Sequence, residues 1–538
     1  MRALQYLGYG AALPALAIAS DAAAKSRYVQ PYIELTQVAT ADLNTDDVLT
    51  YTQLAAGIDA SVAGPRAEAQ ISYRYERRFA WEDDVNDNDV HSGLARGSYR
   101  LTPALTLDAG ALATRTRFDI RGAAPGVLAG NVDNVTQVYS VYGGPSLNTT
   151  AGPIQLGASY QAAYTKAESP QSIGLAPGEP SIDYFDESSS HIVTATAGIA
   201  AGTVLPFGIT LSGAYDREDA SQLDQAYEGW YGRGDVVLPI TRTVALRGGV
   251  GYERIESTQR DPLVDADGNA VTDGNGRYVT DPASPVRIAY RTDGLIYDAG
   301  VIWRPSSRLE LQANAGWRYG GETYTGLLSY QVDKSTGLRV SVYDGIETFG
   351  RQLRDGLRQM PTQFSNQPDP FGQQFSGCVF GSRPGEGGSG AGGCLNDAFQ
   401  SASASSYRAR GVDAVLSTAM GRSSYGIGLG YSSRKLYAPR NAPGINVFGS
   451  ADESYYAQAF WSRALTRRSM LDLNVYTNYW DSGLSAGDGV VSVGGTGSYS
   501  LNFGRLGTIA SLGVYTYDQE GLETQWSAQA LLGARYSF

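Results

Sequence analysis

The chain has 538 residues, with 54 acidic against 42 basic side chains and a formal net charge of −12, which argues against nucleic acid as a partner. Glycine (66) and tyrosine (36) are abundant, only 18% of residues are charged, and 42% are hydrophobic. No segment reaches about 18 consecutive apolar residues, so a bundle of membrane-spanning helices is excluded.

The N-terminus reads as a secretory signal. Arg2 supplies a positive start, and Leu7 to Ala19 is a short apolar stretch broken by Pro14. Ala22, Ala23 and Ala24 offer the small residues that cleavage needs, which predicts a signal peptide over residues 1–24 and a mature chain over 25–538. A secreted chain with two cysteines implies an oxidising compartment.

Period-2 alternation then recurs along the chain. Ala67, Ala69, Ile71, Tyr73 and Tyr75 share one face, and Glu68, Gln70, Arg74, Glu76 and Arg78 the other. Val244, Leu246, Val250 and Tyr252 oppose Arg247 and Glu253. Leu309, Leu311 and Trp317 oppose Glu310, Gln312 and Arg318. Leu471, Leu473 and Val475 oppose Asp472 and Asn474. Neither a buried core nor lipid accepts the charged faces, so they line water while the greasy faces meet lipid. A spanning structure made of strands must be closed, because lipid satisfies no free backbone group.

Ten short turns rich in glycine, proline and serine punctuate the pattern: Ala63-Gly64-Pro65, Thr102-Pro103, Ala151-Gly152-Pro153, Leu205-Pro206-Phe207, Pro239-Ile240-Thr241, Pro305-Ser306-Ser307, Ser335-Thr336-Gly337, Gly421-Arg422-Ser423, Thr466-Arg467-Arg468 and Phe503-Gly504-Arg505. Between them lie longer polar connections, such as Glu82–Asp89, Asp119–Asn134, Glu168–Glu187, Thr258–Val286 and Asp344–Ser406. Ten short turns and eleven outer connections predict an all-β fold. It is a single closed antiparallel transmembrane β-barrel of about 22 strands (20 to 24), with periplasmic termini, in the bacterial outer membrane. Barrels of this size usually hold a plug. With the first strand starting near Tyr28, the lumen is expected to be open, squashed or filled by the chain's own loops.

One loop, residues 344–406, has internal order. Asp344 and Glu347 have capping-box spacing, and Pro361 follows the last predicted turn. Ile346, Phe349, Leu353, Leu357 and Met360 form an apolar stripe, with Arg351, Arg354 and Arg358 opposite. If the helix folds into the mouth, these three guanidiniums form an anion-attracting pore constriction. On the outer rim they would instead pair with acidic loops or lipopolysaccharide phosphates. Cys378 and Cys394 share the loop and are expected to form a disulfide closing 16 positions, worth about 3 kcal/mol in the chain-entropy model.

The chain ends on Trp526, Ala528, Ala530, Leu532, Ala534, Tyr536 and Phe538 in strict alternation. The closing Tyr536-Ser537-Phe538 resembles the C-terminal signal of outer-membrane barrels, which implies the barrel-assembly machinery as a partner beside outer-membrane lipid and lipopolysaccharide. Catalytic and metal motifs are not evident. The two histidines, His91 and His191, sit at predicted outer strand ends, and Ser188 to Ser190 beside His191 is a weak hydrolase pattern. Asp265, Asp267 and Asn269 mimic a calcium loop, but Gly276 occupies the twelfth position where glutamate is required. Asp-Gly and Asn-Gly turns of a surface hairpin suit that segment better. No cofactor is expected.

Residues 27–538 resemble large proteobacterial outer-membrane barrels associated with exosortase and exopolysaccharide systems. The resemblance rests on Tyr32-Ile33-Glu34-Leu35-Thr36, on Tyr290-Arg291-Thr292-Asp293-Gly294-Leu295-Ile296, on Thr323 to Tyr330, and on the 344–361 segment with its Phe349-Gly350 pair. Similar sequences sometimes carry the label preprotein translocase subunit YajC, the name of a small protein with one membrane helix. The resemblance implies an outer-membrane location and a link to polysaccharide export components, with no catalytic residue to carry over. The expected function is a porin-like channel for small or polymeric, anionic solutes. The alternative is a non-conducting scaffold or assembly partner for surface polysaccharide.

Overall fold

A computed structural model describes residues 26–45, 47–81, 88–119, 134–168, 182–365, 371, 377–385, 388–395, 402–445, 447, 449–483, 489–520 and 523–538. The expected cleavage site at Ala22 and Ala24 lies outside them.

Strands follow one another in the order the alternation sets. They are β1 (Ser26–Asp42), β2 (Val48–Ala63), β3 (Ala67–Ala80), β4 (Asn88–Arg100), β5 (Leu105–Arg117), β6 (Val135–Ala151), β7 (Ile154–Ala167), β8 (Glu187–Ile199), β9 (Gly208–Ala220), β10 (Ala226–Pro239), β11 (Val244–Gln259), β12 (Arg287–Ser306), β13 (Leu309–Arg318), β14 (Gly321–Gln331) and β15 (Thr336–Glu347). After the long loop, which holds the short strands β16 (Cys378–Phe380) and β17 (Gly392–Cys394), come β18 (Ser406–Met420), β19 (Ser423–Tyr437), β20 (Ala451–Ala464), β21 (Ser469–Asp481), β22 (Val490–Phe503), β23 (Leu506–Gln519) and β24 (Gln525–Ser537).

Each long strand pairs antiparallel with its neighbour, β15 pairs with β18, and β24 closes on β1 from Tyr32↔Ser537 to Asp42↔Ser527. The result is a 22-stranded ring. All ten expected short turns join neighbouring strands at one end, where both chain ends of the barrel also lie. The seam carries more than its ladder. Glu34 on β1 takes an ion pair from Arg535 on β24 at 2.7 Å and another from Arg74 on β3 at 2.6 Å.

The faces sort as lipid and lumen require. Leu532, Leu512, Leu295 and Leu211 project outward and are more than 60% exposed, while their alternates Gln529, Ser511 and Ile296 are buried inside. Exposed aromatics collect toward the two rims, Trp81, Trp230 and Trp526 above, and Tyr28, Phe503, Tyr536 and Phe538 below, as the interfacial girdles of such barrels do. An apolar exterior around a polar interior is the outer-membrane architecture.

Inside the bore, polar side chains satisfy one another. Thr36 donates to Gln53 at 2.7 Å, Gln53 donates to Glu76 at 2.8 Å, and Arg78 bonds the same carboxylate at 2.6 Å. The largest buried apolar cluster lies within the barrel. It joins Leu94, Leu112, Val138 and Tyr142 of the wall to Phe349, Leu353, Leu357 and Met360 of the long loop.

Above the rim, the β11–β12 connection folds into two small hairpins, with bridges Val264↔Ala270 and Thr272↔Tyr278. Asp265 accepts from the Asn269 backbone at 2.8 Å, so the aspartates serve turns as expected.

Candidate functional site: the lumen plug

The loop between β15 and β18 enters the barrel. Its helix α1 (Phe349–Gln359) starts later than the capping-box spacing suggests. Thr348 is the N-cap and accepts from the Arg351 backbone at 3.3 Å. Asp344 and Glu347 remain in β15, because pairing with Arg410 and Tyr407 across the ladder continues the strand past them. Asp344 there binds Arg408 at 2.8 Å and Arg410 at 3.2 Å. Ile346 belongs to the strand and packs with Tyr227 and Ile255, whereas the other four stripe residues form the face that α1 buries in the wall.

Two of the three arginines converge on one carboxylate, and the third does not join them there. Arg351 reaches Asp216 of β9 at 2.9 Å, and Arg354 reaches the same carboxylate at 3.1 Å and Ser190 of β8 at 3.3 Å. Both are buried, Arg354 completely. Arg351 also stacks over the Tyr227 ring, 3.7 Å from its centroid. Only Arg358, 38% exposed, faces water, and it pairs with Asp355 at 3.3 Å. An open cationic constriction therefore does not form. Desolvating two guanidiniums without counter-charges is too costly, and Asp216, with Asp355 at 3.0 Å from Arg354, supplies the compensation. Burial alone would raise the Asp355 carboxyl, but Arg354 and Arg358 outweigh it and hold the group below its ordinary value. Glu218, two positions from Asp216 on the same face, accepts from the Thr348 hydroxyl.

Beyond α1 the loop crosses the bore. Gln363 donates to the Ala69 carbonyl at 3.0 Å, and Phe364 exchanges hydrogen bonds with the Gln70 amide at 2.9 Å. Phe371 is fully buried against Tyr51, Tyr515 and Val38. Cys378 and Cys394 face each other across β16 and β17 and are disulfide-bonded, with Cα atoms 4.0 Å apart. This hairpin lies on β18, β19 and β20. The Cys378 backbone donates to the Gln458 side-chain oxygen at 3.3 Å, and Phe380 packs on Phe460 with ring centroids 4.7 Å apart. The tip descends to the periplasmic turns, where Arg383 pairs with Glu68 at 2.9 Å and Gly388 donates to Ser329 at 3.1 Å.

The wall is shaped to receive the hairpin. Lumen-facing Gly426, Gly428 and Gly430 alternate with outward Tyr425, Ile427 and Leu429 on β19. A Cβ on Gly426 would stand 2.5 Å from the Phe380 ring, and one on Gly428 would stand 2.5 Å from Cys378 Sγ. Sequence reading passes over this seat, and over Asp216 and Glu218. The available signals are glycine at every second position of a strand, which marks close approach, and two acids with period 2 on a lumen face.

The remaining sequence candidates do not assemble. Ser188 and Ser190 are buried in the lumen, while His191 points outward and meets the Tyr160 hydroxyl at 2.9 Å. His91 meets the Tyr73 hydroxyl at 2.7 Å. Among the described residues, no three histidine, cysteine or carboxylate side chains group as metal ligands. Tyr536 and Phe538 project outward beside the seam, where the Phe538 backbone donates to the Pro31 carbonyl at 3.0 Å.

No family model matches the chain, and no curated protein matches it. Solved structures similar to it include the alcaligin outer-membrane receptor FauA of Bordetella pertussis, at 11% identity and a TM-score of 0.37, covering 94% of this chain and 76% of that one. The FrpB iron transporter of Neisseria meningitidis is similar at 10% identity and a TM-score of 0.41, covering 95% and 81%. The ferric-catecholate import receptor Fiu of E. coli is similar at 12% identity and a TM-score of 0.42, covering 94% and 81%.

Proposed function

We propose that the protein is a gated outer-membrane conduit, closed at rest by its own β15–β18 loop. The carrying observation is that loop's course, from the α1 contacts in the outer half of the bore to the Arg383–Glu68 pair at the periplasmic end. Release is favoured by the way α1 is held. Its 11 residues include Gly350 and Gly356, each costing about 1 kcal/mol relative to alanine, so the helix persists only while docked. Its polar face is held by buried ion pairs, whose desolvation cost offsets much of their attraction, and not by apolar packing alone. The expectation of anion preference loses its basis, since Asp216 pairs with Arg351 and Arg354, and Asp355 pairs with Arg354 and Arg358.

Planar-bilayer recording tests the proposal. Asp216→Asn removes the carboxylate that Arg351 and Arg354 share, leaving Arg354 only Asp355, and weakens docking by about 3 kcal/mol. Wild type should be mostly closed with rare openings, and the variant should open far more often. Silence from both proteins would return the scaffold reading to the lead.

A further inference from the structure

We infer that the periplasmic half of the lumen wall on β6 to β9 is the solute-contacting surface, and that it takes an uncharged, hydrogen-bonding solute. The inference rests on the gated-conduit reading and deepens it. Two rows of the sheet carry the argument. In one, Asn148 stands opposite Gly157, Gly157 opposite Thr196, and Thr196 opposite Ser212. In the next, Gln155 stands opposite Gly198, and Gly198 opposite Thr210. Asn148, Gln155 and Thr196 are exposed, although they point into the barrel, because the plug leans on the outer halves of these strands.

The glycines keep these groups open. A Cβ on Gly157 would crowd the Thr196 hydroxyl and stand 3.4 Å from Asn148 Oδ1, and one on Gly198 would stand 2.9 Å from Thr210 Oγ1. With hydrogen there instead, hydroxyls and amides form a flat donor and acceptor surface, its strands about 4.8 Å apart. Formal charge is spent nearby. Arg233 pairs with Asp235 at 2.6 Å and with Asp298 at 2.9 Å, and Arg247 pairs with Asp235 at 3.0 Å. On the other flank Asp108, bonded by Ser146 at 3.3 Å, opposes anions. A neutral polyhydroxylated solute exchanges water for these groups without stripping a formal charge of its hydration.

Titration calorimetry on the detergent-solubilised full barrel tests this, with maltohexaose as the neutral probe and an oligogalacturonate of equal length as the anionic one. Maltohexaose should bind about tenfold more tightly. The pair Asn148→Ala and Thr196→Val should weaken it several-fold while the folded barrel keeps its heat-modifiable gel mobility. Tighter or equal binding of the anion, binding indifferent to the double substitution, or no maltohexaose binding each overturns the inference. These outcomes are separate from gating, which is read by conductance.

Discussion

Gly428 shows how a single hydrogen atom admits the plug, since any Cβ there meets Cys378 Sγ at 2.5 Å. Gly428→Val should leave the ring intact, because the position is one lumen-facing site on a fully paired strand. It should expel the disulfide hairpin at a cost of about 1 to 3 kcal/mol. Protease sensitivity of the loop in folded, heat-modifiable barrel reads this, and unchanged protection would show that the hairpin seat is not where the structure puts it. A second residue-scale expectation concerns Asp183, in the connection before β8 and outside the spanning strands. Burial pushes its carboxyl up to about 8, against the opposing hydrogen bonds from the Gln222 amide at 2.6 Å and the Tyr278 backbone at 3.4 Å, with Arg277 and Asp273 also acting on it. Its pKa is higher folded than unfolded, so the folded rim binds the extra proton. That stabilisation is complete below about pH 4 and fades as pH rises through the folded value. Hydrogen exchange around Asp183, corrected for intrinsic rates, should be faster at about pH 9 than at about pH 6. Asp183→Asn should remove the difference, and a persisting difference would assign it to another group.

The strands are the most legible elements, because membrane and lumen impose opposite demands on alternate residues over their whole length. Glu76 and Arg78 inside, with Phe79 outside, follow directly from that rule. The turns are legible for the same reason that they are short, as at Gly152 and Gly504, which take positive φ of 60° and 68°. The start of α1 is less so. Asp344 and Glu347 have cap spacing, but strand pairing with β18 outlasts the local preference, a tertiary contact that spacing does not encode. The apolar stripe is readable, yet the partners of its arginines are not, since Asp216 lies 135 positions away from Arg351. Two glycines of α1 make opposite predictions. Gly356→Ala meets only the Leu395 side-chain tip, so improved helix propensity should slow exchange of the α1 amides, by up to about 1 kcal/mol. Gly350→Ala drives a methyl into the Ser188 hydroxyl and the Glu218 carboxylate, so the same change should speed exchange. Shifts of the same sign would mean that α1 is not docked on β8 and β9 as described.

At the scale of the whole molecule, a ring of 22 strands encloses more space than its wall side chains fill, and the β15–β18 loop occupies part of it. The size of the ring is readable from the count of alternating segments, and the need for a filler follows from the size. Which wall the filler leans on depends on glycine seats and distant carboxylates, so it emerges only in three dimensions. Leaving the periplasmic halves of β6 to β9 exposed is a consequence of that choice, and it turns a closed barrel into one with a solute-facing wall. Glu347 and Tyr407 face each other across neighbouring strands, so a short Gly-Ser turn in place of residues 349–404 can close the barrel without the plug. The direct measurement is single-channel conductance of this loop-replaced barrel beside the wild type. A large steady conductance in the replaced barrel, against a mostly closed wild type, is the predicted result. Equal conductance of the two, or a replaced barrel that folds and stays silent, would contradict the gate.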